Sequence, residues 1–86
     1  MFEKFDPNSK PDAVSEKGVK LWIDRTLTRY AQSKGIKGVQ VFRSLFPDGM
    51  QEYLIVLDGK PVYAHQEFET VACRIDVIGL VENGSD

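Results

Sequence analysis

The sequence predicts an α+β fold, a single small domain in the order α-β-β-β-α, with a three-stranded antiparallel meander packed by two helices. Three observations carry this. A helical apolar period runs through residues 13–34 and stops at Gly35. Turn residues then separate three β-rich runs, and a second apolar segment follows at 66–81.

In the first segment Val19, Ile23, Thr26, Leu27 and Tyr30 fall at i, i+4, i+7, i+8 and i+11, one face of a helix, with Trp22 beside it. Asp12 is an acceptable N-cap, although Gly18 weakens the first turn. Gly35 after Lys34 is a left-handed helix stop. Val14 and Leu21 lie opposite the core stripe, among Lys17, Asp24, Arg25 and Thr28.

The run Val39 to Phe46 is rich in β-branched and aromatic residues and closes with Pro47-Asp48-Gly49. Glu52 to Leu57 leads into Asp58-Gly59, the dipeptide of two-residue hairpins, and Lys60 to Ala64 pairs back. Pro61 has no N–H to donate, which places this strand at an edge. In a regular hairpin Tyr53, Ile55, Val62 and Ala64 share one side, and Leu54, Val56, Pro61 and Tyr63 the other. Neither side is polar, so helices on one leave the other apolar.

Residues 66–81 fit two periods. As a helix, Phe68, Val71, Ala72, Ile75 and Ile78 form a stripe, with Cys73, Val77 and Leu80 on the far side. As a strand, Val71, Cys73, Ile75 and Val77 alternate against Ala72, Arg74 and Asp76. Glu67 and Glu69 near a helix start, and Gly79 as a stop, favour the helix. Residues 1–12, with Pro7 and Pro11, read as an irregular arm that Phe2 and Phe5 could pin to the body. Residues 13–81 read as the domain and 82–86 as a flexible polar tail.

Length and composition bound the function. Eighty-six residues make one core, and 42% hydrophobic with 28% charged residues exclude a disordered chain. One cysteine excludes an internal disulfide, and no run suits a signal peptide or a membrane span. A soluble cytoplasmic protein with no membrane association is expected. The net charge of −2 hides an asymmetry: residues 1–43 hold nine basic and five acidic side chains, residues 44–86 two basic and eight acidic.

Enzymatic equipment is sparse. His65 and Cys73 are each single; the histidine suits a loop or cap, and the cysteine falls mid-helix, where nothing favours a thiolate. Too few ligands exist for tetrahedral zinc, no carboxylates take calcium-loop spacing, and no glycines form a phosphate loop. No catalysis, cofactor or metal is therefore expected.

The order helix, three strands, helix over residues 13–81 resembles the double-stranded-RNA-binding domain. That resemblance implies groove contacts from basic residues, for which Lys17, Lys20, Arg25, Arg29, Lys34 and Lys37 are candidates. It also implies lysines at the start of the second helix, where this chain has Gln66, Glu67 and Glu69. The leading expectation is instead a protein-binding or self-associating domain, a homodimer in its simplest form. It would act through Val14, Leu21, Arg25, Cys73 and Val77 and one sheet face. Compact chains without motifs occur among accessory proteins of phages and mobile elements, and the expectation extends to that class.

Overall fold

The computed structural model describes residues 6–83, so Phe2, Phe5 and the last three residues of the expected tail lie outside the described part. The elements are β1 (Ala13–Val14), β2 (Lys20–Ile23), α1 (Arg25–Ser33), β3 (Val39–Leu45), β4 (Gln51–Leu57), β5 (Lys60–His65) and α2 (Phe68–Asn83). The strands form one antiparallel sheet in chain order. The α+β class holds, but the sheet has five strands where three were expected.

The two extra strands come from the segment read as the first half of a helix. Gly18, at φ +82°, closes a three-residue loop in which Ser15 N–H donates to Val19 O and Gly18 N–H to Ser15 O, each at 2.9 Å. Phe46 to Met50 repeats this geometry, with Gly49 at φ +94°. Both loops place glycine where only a left-handed residue lets the second strand pair back. Asp12 is not a helix cap: its amide donates to Leu21 O, and its carboxylate accepts from Ile23 N–H at 2.8 Å, extending the ladder. The cap is Asp24, whose Oδ1 accepts from Leu27 N–H at 3.0 Å. At the other end Gly35 N–H reaches Gln32 O and Ile36 N–H reaches Ala31 O, and Gly35 stops the helix as expected.

Thr28 fixes α1 onto the sheet. β2 pairs with β3 only as far as Ile23 opposite Phe42, so the edge of Val41 would lose its partner where the chain turns into the helix. Asp24 N–H and the Thr28 hydroxyl both donate to Val41 O, and Thr28 Oγ1 accepts from Val41 N–H at 2.9 Å. Thr28 is buried, so the near-isosteric Thr28→Val leaves a buried N–H unpaired. We expect a loss of about 1–3 kcal/mol, measured by urea unfolding against the parent chain.

The β4–β5 hairpin turns at Asp58 (φ +49°) and Gly59 (φ +80°), and β5 lies at the sheet edge, both as expected. Its facing differs from the regular register. A bulge between Ile55 and Val56 pairs Tyr63 with Ile55, Ala64 with Leu54 and His65 with Tyr53. One extra residue beside Pro61 exchanges the sides of Tyr63 and Ala64.

Both helices cover one face. Leu27 and Ala31 of α1, Ile36, Val39 and Val41, Ile55, and Val71 and Ile75 of α2 form one buried cluster, joined by Tyr53, Tyr63 and Phe68. The helix at 66–81 is therefore confirmed over the strand alternative, and its stripe faces the core. Gly79 does not stop it. It lies buried where a Cβ would come within 3.1 Å of Lys34 Cβ, so the absent side chain permits α1 to approach. The helix continues through Glu82 and Asn83, placed by the sequence in the tail, and Asn83 Nδ2 donates to Lys34 O at 2.7 Å.

The same junction holds Asp76, which accepts from the Tyr30 hydroxyl and pairs with Lys34 at 3.5 Å. The hydrogen bond to Asp76, then burial and the carboxylate's charge, raise the Tyr30 phenol above its ordinary range, against a smaller opposing effect of Lys34. The folded state thus holds this proton more tightly than the unfolded chain. The resulting stabilisation is complete below the free phenol's range of about pH 10 and is lost as pH rises through the folded value. Tyr30→Phe should therefore be less stable than the parent at pH 8, with the gap narrowing above about pH 10. Denaturant midpoints at both pH values test this; a gap independent of pH contradicts it.

Candidate interaction surface

Because both helices pack on one side, no element among the described residues lies over the opposite face of the sheet. Strand alternation assigns that face. Leu21 and Ile23 come from β2; Gln40, Phe42 and Ser44 from β3; Glu52, Leu54 and Val56 from β4; Pro61, opposite Val56, and Ala64 from β5, with Val62 as the bulge residue between them. The register aligns Ile23, Phe42, Leu54 and Ala64 in one row across four strands, all apolar. Ile23 is 38% exposed and Val62 48%, Ala64 is exposed, and Phe42, Leu54 and Val56 are half-buried. Ser44, between Leu21 and Glu52 in the register, is buried, with no element among the described residues above it. Glu52 is the one ionisable side chain among them, and it too is half-buried. Such a face can desolvate against another apolar surface at little electrostatic cost.

A second apolar strip lies on the outer side of α2, where Cys73, Val77, Leu80 and Val81 recur at helical spacing, with Leu80 70% exposed. The residues expected to form one partner surface are thus divided. Val14 is exposed on β1, Leu21 is half-buried on the open face, and Arg25 opens α1. Cys73 and Val77 belong to the outer strip of α2, against the other side of the sheet. The row through Phe42 and Leu54 was not singled out from the sequence. Its signal was the hairpin with no polar side, of which Leu54 and Val56 form half.

The basic residues are spread as well. Lys17 sits in the β1–β2 loop and Lys20 on β2, so neither lies on a helix. Lys34 is engaged by Asp76 and lies over the Tyr30 ring at 5.1 Å. Arg25 and Arg29, one turn apart on α1, are exposed and form no ion pair among the described residues; Lys37 lies in the following loop.

On the helix side Arg43 lies at the end of the core. It donates to the Tyr53 hydroxyl at 2.9 Å, lies over that ring at 4.8 Å and pairs with Asp24 at 3.6 Å. Gln51, Glu52 and Gln66 join Arg43 and Tyr53 around a small open recess. The Arg43 guanidinium is engaged by Asp24, the cap of α1, and by Tyr53 of β4. His65 Nδ1 accepts from Glu67 N–H at 3.1 Å, a capping contact that leads into α2. Cys73 is exposed mid-helix. No cluster of three metal-ligating side chains occurs among the described residues, and no helix among them is long and apolar enough to cross a membrane.

No protein-family model matches the chain, and no curated protein or solved structure is significantly similar to it.

Proposed function

We propose that the chain is a non-enzymatic protein-interaction domain that docks through the open face of its sheet. The observation supporting this is the uncharged row Ile23–Phe42–Leu54–Ala64, which no element among the described residues covers, in a fold whose other face carries both helices. Soluble domains that expose contiguous apolar faces generally use them for association. The test is a photo-crosslinking residue at Ala64, with one at Val81 as comparison, in the full chain expressed in its native host. We expect a discrete protein adduct from position 64 that disappears when Ile23→Lys is added. Absence of any adduct from position 64 overturns the reading.

The second reading is nucleic-acid binding through α1, favoured by the exposed pair Arg25 and Arg29. It requires affinity for duplex RNA or DNA that falls with salt and weakens in the Arg25→Ala/Arg29→Ala variant. A flat titration at low salt excludes it.

A further inference from the structure

The open face admits more than one kind of protein, and its composition and borders distinguish them. Sheets extend by edge pairing or bury by face packing. Edge pairing is obstructed on both sides here. β1 offers only two residues, Ala13 and Val14, and β5 carries Pro61 and the extra residue of the bulge, Val62. The face lacks what a charged partner would read, since Glu52 is its one ionisable group. A surface without charge is compatible with itself.

We infer that the occupant of this face is a second copy of the chain, packed sheet on sheet about a two-fold axis near the Phe42–Leu54 pair. The inference rests on the interaction reading above and names its partner. An axis running along the Ile23–Phe42–Leu54–Ala64 row lays apolar on apolar. It also sets the two Glu52 residues at opposite ends of the interface, about 13 Å apart along the strand direction. Strands of four, seven, seven and six residues, about 4.8 Å apart, give a flat footprint of roughly 380 Å² per copy. Two copies bury roughly 800 Å², below the range of stable interfaces and in that of weak, transient association. The dimer is accordingly weak, with a dissociation constant on the order of micromolar or above.

Sedimentation velocity of the full chain from low micromolar to sub-millimolar concentration tests this. We expect the mass to rise from 9.7 kDa toward twice that value. Ile23→Lys and Ala64→Lys, both at exposed positions, should each weaken the dimer at least about tenfold while leaving the circular dichroism spectrum unchanged. Leu80→Lys on the outer strip of α2 should leave association unchanged. A chain that stays monomeric throughout, or that is dissociated by Leu80→Lys and not by the sheet variants, overturns the second copy. The crosslinker at position 64 separates the two levels. An adduct of twice the chain mass supports the dimer. A heterologous adduct from a monomeric chain overturns the dimer and leaves the interaction reading standing, and no adduct overturns both.

Discussion

Replacing Ile55 by alanine is expected to lower the unfolding free energy by about 2–5 kcal/mol, the range for removing a fully buried aliphatic side chain. Ile55 lies at the middle of β4, opposite Val41 on one side and Tyr63 on the other, and is fully buried in the cluster that includes Val71 and Ile75 of α2. Little around it can collapse into the void, because β4 is itself held by ladders to β3 and β5 on its two edges. A domain of this size has a total stability of about 5–15 kcal/mol at most, so the variant sits near the threshold of folding. Chemical denaturation or thermal melting measures the loss. Leu54→Ala, one residue away on the open face, should cost markedly less, because Leu54 is only half-buried. Equal losses at the two positions would mean that the open face is covered within a single chain.

Gly38→Ala is expected to cost about 2–3 kcal/mol through two separate effects. Gly38 adopts φ +68°, where an L-residue costs about 1–2 kcal/mol. An added Cβ would also lie 2.1 Å from Asp58 Oδ1, so the aspartate must move. Asp58 is itself left-handed in the hairpin turn, and its amide donates to Gly38 O at 3.0 Å, which ties the α1–β3 loop to the β4–β5 turn. Gly59→Ala meets nothing within 4 Å and retains only the backbone cost. A double-mutant cycle separates the terms: Asp58→Gly should recover part of the Gly38→Ala loss, whereas additivity would assign all of it to the backbone.

Local signals were legible where one residue type had one physical use. Gly35 closed its helix, Asp58-Gly59 turned its hairpin and Pro61 marked an edge, since each conformation or missing donor admits few alternatives. The helix over Phe68–Asn83 followed from its stripe and acidic start. The segment 13–24 misled because Val19, Ile23 and Leu27 satisfy a helical period while Val19, Leu21 and Ile23 also alternate as a strand. Gly18 and Asp24 separated the two readings, one as a loop glycine and the other as the true cap. Gly79 shows the reverse error: a glycine read as a stop is a point of close approach between helices.

The sequence by itself determined the α+β class, the three strands β3, β4 and β5, the second helix and a β4–β5 hairpin with no polar side. Those properties are periodic or local, and they survive errors in register. Only the tertiary structure decided which apolar residues share a face. That depended on the bulge beside Pro61, which turned Tyr63 inward and Ala64 outward, and on the hairpin that placed Ile23 in a row with Phe42 and Leu54. A one-residue slip reverses every side chain beyond it, so the composition of a sheet face is a property of pairing that no single strand contains.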